Sequence, residues 1–292
     1  MSKDQEVRDT VAEFYAGAVR AAADGGGSCC GPVPKGVVAK IADYTAEELE
    51  ALPPEAVVNA FGCGNPLAFS EVEPGQTVLD LGSGAGIDIL LAAKKVGPTG
   101  RAIGVDMTDE MIAKAKQNIA VSGLTNVEVH KGTIEELPVE SASVDWVISN
   151  CVINLSPEKP KVFAEIARAL KPGGRMLVSD IVVRDLPDWV KSDNGLYSTC
   201  VAGALSEEEY LAGLRAAGLK DVEVRHRMVY DASQLEAFIC SELPEKVLDP
   251  TRPGSCGCGC GGGVSNQTTI RAVAEALEGK VWSAKIHARK PR

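Results

Sequence analysis

Aromatic side chains are scarce, at 4% of the 292 residues. Leu, Val, Ile and Ala must therefore fill the core, and the 45% hydrophobic content is enough for a sizeable one. Positive charge is also in short supply: 30 Lys and Arg stand against 40 Asp and Glu, a net charge of −10. No basic run or aromatic–basic interleaving offsets that balance, which argues against a nucleic-acid partner. No apolar run approaches the length of a membrane span. The N-terminus, Met1-Ser2-Lys3-Asp4-Gln5-Glu6, is polar and lacks the apolar core of a signal peptide. These absences predict a cytoplasmic protein whose thiols stay reduced. Its nine cysteines then read as ligands, redox groups or core residues, not as a disulfide framework.

Residues 6–22 carry Val7, Val11, Phe14, Tyr15 and Ala18 at helical spacing. Residues 23–36 form a glycine-rich loop with Cys29 and Cys30. Thr45 followed by Glu47 and Glu48 reads as a helix start, and a further short helix is expected to end near Phe61. From Thr77 strands and helices alternate. Strands are predicted over 78–81, 102–106, 127–130, 144–149 and 175–181, and helices over 87–96, 109–122 and 161–170, the last stopping before Pro172-Gly173-Gly174. Such alternation specifies a parallel sheet with helices on both faces. Beyond it, residues 186–204 read as helices over the top of the sheet, Ser206 as a helix N-terminus, and 222–229 and 281–288 as late strands. The Cys256-Gly257-Cys258-Gly259-Cys260 insert reads as a loop. Three segments follow: 1–74 as a cysteine-bearing cap, 75–182 as a ligand-binding domain, and 183–292 as a smaller substrate-binding region.

Asp80-Leu81-Gly82-Ser83-Gly84-Ala85-Gly86 lies between a predicted strand and helix. Glycines suit a place where a ligand approaches the backbone closely. The dinucleotide fingerprint wants Gly or Ala five residues after its first glycine, where this chain has Ile87. Asp106 ends the second strand, where a carboxylate can accept ribose hydroxyls, and Gly132-Thr133-Ile134-Glu135 follows the third. All three features fall at carboxyl ends of consecutive strands, where open α/β sheets bind ligands. Together they resemble the class I S-adenosylmethionine-dependent methyltransferases over roughly residues 75–182. The resemblance implies a Rossmann-like, seven-stranded, mostly parallel sheet whose last strand is antiparallel. It also implies cofactor contacts from Phe61, Asp80, Gly82, Ser83, Gly84, Gly86, Asp106, Met107, Thr133, Ile134, Glu135 and Asn150.

Cys151 is placed at the carboxyl end of the fourth strand, Cys200 in the segment over the cleft, and Cys63 between two glycines before the first strand. Cys240 reads as a small buried apolar residue. Structural zinc sites use Cys-x₂₋₄-Cys knuckles, which Cys63, Cys151 and Cys200 do not form. A three-thiolate site for a soft, pyramidal centre such as trivalent arsenic fits better.

The blocks Ser28-Cys29-Cys30-Gly31, Gly62-Cys63-Gly64-Asn65-Pro66, Asp106-Met107-Thr108-Asp109-Glu110, Ser149-Asn150-Cys151-Val152-Ile153-Asn154 and Cys200-Val201-Ala202-Gly203 resemble the arsenite methyltransferases. That resemblance implies As(III) binding by Cys63, Cys151 and Cys200, and a redox role for Cys29 or Cys30. A disulfide from one of these to Cys63 is the expected pairing. It further implies S-adenosylmethionine as donor, arsenite and methylated trivalent arsenicals as acceptors, and an external thiol such as glutathione or thioredoxin as reductant. A monomer without nucleic-acid or membrane partners is expected. Two other readings remain: a methyltransferase for a small organic or lipid acceptor, which has no use for the three cysteines, and an arsenite sequestration protein, which has none for the glycine loop.

Overall fold

The computed structural model describes residues 2–23, 44–58, 62–186, 201, 203–235, 271 and 274–292. Before the sheet come α1 (Lys3–Ala23), α2 (Ala46–Glu50) and α3 (Pro54–Val58). The sheet region runs β1 (Thr77–Leu81), α4 (Ile87–Val96), β2 (Arg101–Asp106), α5 (Asp109–Ser122), β3 (Val127–Lys131), β4 (Val144–Asn150), α6 (Lys159–Ala169) and β5 (Leu170–Val183). Then follow α7 (Glu207–Ala216), β6 (Lys220–Val229) and β7 (Val281–Arg289).

The seven strands lie in the order β3-β2-β1-β4-β5-β7-β6. Neighbours from β3 to β5 pair in parallel, while β7 runs antiparallel to both β5 and β6. The expected architecture and the antiparallel last strand are thus borne out. The sheet is buried on both sides, and alternate strand residues divide between two cores. Leu79, Val147, Met176 and Val178 pack with Phe163 and Ile166 of α6 and Tyr210 of α7. Val78, Trp146, Ile148 and Leu177 pack with Leu90 and Ala93 of α4 and with Leu67 and Val72.

Local signals explain several boundaries. Thr45 and Glu48 form a capping box at α2, as do Ser206 and Glu209 at α7, so each helix starts where a side chain satisfies a free amide. The expected strand at 175–181 begins earlier, at Leu170. Leu170 pairs with Val144, the register then shifts, and Arg175 pairs with Trp146. Pro172-Gly173-Gly174 bulges out between these pairs, with Gly173 at φ 82°, so a motif read as a helix stop is absorbed into an irregular strand start. Helix α6 accordingly spans Lys159–Ala169, not 161–170. Among the described residues no helix is long and apolar enough to cross a membrane.

Candidate active site

A cleft opens at the carboxyl ends of β1 to β4. Its floor is the turn after β1, lined by Gly82, Ser83, Gly84 and Ala85. The amides of Gly82 and Ser83 both donate to the Val105 carbonyl, at 2.8 and 3.0 Å, which pins the turn to β2. Gly82 has φ 67°, and a Cβ there would lie 2.5 Å from the Val152 side chain, so glycine is required twice over. Gly86, at φ 98°, turns the chain into α4 and is not part of the cleft wall. Asp80 lies beneath the turn, 2% exposed, and does not line the cleft either. Burial, with Asp88 and Asp106 nearby, raises its carboxyl well above the ordinary range.

Asp106, Met107, Thr133, Ile134 and Glu135 line the far wall. Asp106 Oδ2 accepts from the Gly84 amide at 3.0 Å and Oδ1 from the Thr108 amide at 2.8 Å. Burial raises its pKa while these backbone donors oppose the shift. Two amides thus aim the carboxylate before any ligand arrives.

The outer wall was not legible in the sequence. Arg8, Val11 and Tyr15 of α1 line the cleft. Arg8 pairs with Glu158 and, at 3.4 Å, with Glu135, which also accepts from Ser156 Oγ at 2.6 Å. Helical spacing showed that α1 has an apolar face but not which surface it would cover. Asp88, also on the cleft wall, was likewise missed as a site residue. The available signal was one carboxylate amid the apolar run Ile87-Asp88-Ile89-Leu90-Leu91.

At the β4 end the structure brings Asn150 and Cys151 to the cleft wall. Cys151 leaves the strand at φ 58°, a left-handed conformation that is costly for a side chain with a Cβ. Its sulfur is bonded to that of Cys63, with Cα atoms 5.9 Å apart. Both residues are buried beside Val11, Leu155 and Tyr230. The sequence expectation paired Cys63 with Cys29 or Cys30; in this structure its partner is Cys151. The reason is positional: the loop at 62–66 crosses directly over the end of β4.

Asn150 holds that crossing. Its Oδ1 accepts from the amides of Cys63 and Gly64 at 3.0 and 3.2 Å, and its Nδ2 donates to the Gly64 carbonyl. The same nitrogen reaches Tyr44 Oη at 3.0 Å and Asp88 Oδ2 at 3.2 Å. The flanking glycines have no room for a side chain. A Cβ on Gly62 would lie 2.6 Å from the Asn150 amide, and one on Gly64 would lie 2.6 Å from Ser179 Oγ. Phe61, Cys29, Cys30, Cys200, Cys240 and the Cys256, Cys258 and Cys260 insert lie outside the described residues.

Comparison with known proteins bears out the resemblance. Residues 72–218 match a methyltransferase domain model. An arsenite methyltransferase of Halobacterium salinarum is 44% identical over 231 residues, 75% of this chain and 59% of that one. Another, of Aquipseudomonas alcaligenes, is 38% identical over 209 residues, 69% of this chain and 58% of that one. The chain therefore spans under two thirds of the length of these curated relatives. The crystal structure of an arsenic(III) S-adenosylmethionine methyltransferase from Chlamydomonas reinhardtii superposes with a TM-score of 0.58 at 31% identity. That match covers 89% of this chain and 74% of the algal one. With its glycine turn, its aimed Asp106 and its cysteines at the cleft, the chain belongs to the arsenite methyltransferase family.

Proposed function

We propose that this protein transfers methyl groups from S-adenosylmethionine to trivalent arsenic held by thiolates. One observation carries the reading: Cys151 lines the cleft beside the glycine turn and lies within bonding distance of Cys63. A methyl acceptor held by these two sulfurs would sit at the wall of the donor site. In this reading Cys200 supplies the third thiolate. Asp106 receives the ribose, and Met107, Thr133, Ile134 and Glu135 enclose the adenine.

The chemistry needs no general base. Arsenic attacks with its own lone pair, the carbon–sulfur bond of the sulfonium breaks, and S-adenosylhomocysteine leaves. Alignment of lone pair and methyl group supplies roughly 7–11 kcal/mol in well-oriented systems. Arsenic is then pentavalent. Two of its thiolate ligands couple to a disulfide, their bonds to arsenic break, and the electron pair returns it to the trivalent state. The Cys63–Cys151 bond is the disulfide such a step would leave. It must be reopened by two electrons and two protons from an external thiol, such as glutathione or thioredoxin, before the next arsenite binds. Arsenite and methylarsonite are the proposed acceptors.

The test incubates the protein with labelled methyl donor, arsenite and excess thiol, then separates the arsenic species. Label in methylated arsenic is the expected result. Label in a quinone precursor or sterol acceptor, with none in arsenic, overturns the reading. Tight arsenite binding with no transfer would point to sequestration instead.

A further inference from the structure

We propose that a small external thiol reaches the Cys63–Cys151 disulfide through the methyl-donor cleft and attacks the sulfur of Cys151, so that donor and reductant use one site in turn; this rests on the reading of the cleft as an S-adenosylmethionine site. The two halves of the disulfide are placed unequally. Cys151 lines the cleft beside Val152 and Leu155, and Cys63 does not. Cys63 is 3% exposed and shares a buried cluster with Leu235, Leu277 and Val281. Its amide donates to Asn150 Oδ1 at 3.0 Å, and its carbonyl accepts from Tyr230 Oη at 3.5 Å. Its loop is therefore tied on both sides.

Thiol–disulfide exchange has a direction. The attacking thiolate comes in line with the sulfur–sulfur bond, from the side away from the sulfur that leaves, and access decides which sulfur is attacked. Among the described residues, the cleft wall presents Cys151 and keeps Cys63 behind it. Attack on Cys151 needs only the cleft. Attack on Cys63 would first have to part the buried cluster and break the bonds to Asn150 and Tyr230.

The step balances with two thiols. The first thiolate bonds to the Cys151 sulfur, the protein disulfide breaks, and Cys63 leaves as a thiolate that takes up a proton. A second thiolate then attacks the reductant's own sulfur in this mixed disulfide. The oxidised reductant departs, and Cys151 is released as a thiolate that takes up the second proton. Both attacks pass through the cleft, because the mixed disulfide lies in it.

The donor needs the same space. With its ribose at Asp106 and its methyl group aimed at an acceptor on Cys151, its sulfur lies across the path of the thiol. Val11 and Tyr15 of α1 wall the outer side, so nucleoside and thiol are confined together. S-adenosylhomocysteine must then leave before the disulfide reopens. A fresh donor that binds too early holds the protein oxidised. Turnover acquires an order: product nucleoside out, thiol in and out, then arsenite and donor.

The experiment follows reduction of the oxidised full chain by glutathione, using alkylation after acid quench and mass measurement. Saturating S-adenosylhomocysteine, its affinity first measured by calorimetry, should slow the reduction at least tenfold. Asp106→Ala should require a higher concentration of the nucleoside for the same protection. Peptide mapping of samples quenched early should find glutathione on Cys151. Equal rates with and without bound nucleoside, or glutathione on Cys63 instead, overturns the proposal and leaves the donor reading standing. If calorimetry shows no binding of the nucleoside, the donor reading falls and the proposal falls with it.

Discussion

Replacing Asn150 with Ala should detach the cysteine loop from the sheet, and the cost can be worked from the contacts. The side chain is 9% exposed and satisfies the amides of Cys63 and Gly64. A buried amide left without an acceptor costs about 1–3 kcal/mol, so the pair loses roughly 2–6 kcal/mol. That is a large share of a domain stability of roughly 5–15 kcal/mol. Redox state decides where the loss appears. The disulfide closes a chain separation of 88 residues, stabilising the fold by about 4.6 kcal/mol on a chain-entropy model. With the bond intact the loop cannot move to rehydrate its amides, and the full penalty falls on global stability. With the bond reduced the loop can lift, so global stability falls less and the Cys63 thiol is exposed. Urea unfolding with and without reductant measures the first effect, and alkylation of Cys63 in the reduced protein measures the second. An oxidised Asn150→Ala protein within about 0.5 kcal/mol of the parent, with unchanged alkylation of the reduced form, would refute the reasoning.

Asp106→Ala should weaken the methyl donor while sparing arsenite binding, since the carboxylate stands on the wall opposite the cysteines; calorimetry with each ligand checks this, and parallel loss of both contradicts it. Cys151→Ser and Cys200→Ser should abolish every methylation, because a hydroxyl is a poor ligand for a soft centre. The Cys29→Ser/Cys30→Ser protein should lose methylation of arsenite but keep that of methylarsonite. Rates on arsenite and methylarsonite will show it, and full activity in Cys151→Ser would overturn the site assignment. Asp180 is held by Asn154 Nδ2 at 2.8 Å and Tyr210 Oη at 3.2 Å, and burial pushes it up to about 7. A carboxyl raised on folding binds its proton more tightly in the native state, so it favours folding at low pH. That advantage is lost as pH rises from the unfolded value near 3.8 through about 7. Asp180→Asn should therefore flatten the melting temperature between pH 5 and 8, and an unchanged pH profile would contradict the assignment.

The central strands β1, β2 and β4 were legible because each is a short, largely buried run between turn signals. The helices at 87–96 and 109–122 fall where periodicity placed them. The far wall of the cleft was equally legible, since Asp106 and Thr133–Glu135 lie at strand ends whose positions follow from the alternation. What failed to show are contacts between elements distant in sequence. Nothing local to Arg8 announces Glu135 and Glu158. Nothing local to Cys63 announces that its loop would cross Asn150 and leave its sulfur on Cys151. A glycine-flanked cysteine signals close approach but not to what. Asp88 was visible as an odd charge in an apolar helix start, yet its contact with Asn150 was not.

The place of β7 has a consequence for biosynthesis. This strand fills the gap between β5 and β6, yet it is made long after either. While the chain from Val183 to Val281 is synthesised, the edge of β5 has no partner. At bacterial and eukaryotic elongation rates that wait lasts roughly 5–20 s. An unpaired apolar edge exposed for so long is a template for pairing with other nascent chains. The stretch Ile181-Val182-Val183 is therefore where chaperone capture, or aggregation on overexpression, should concentrate. Slowing translation across the intervening segment should lower soluble yield without altering a single residue of the finished protein.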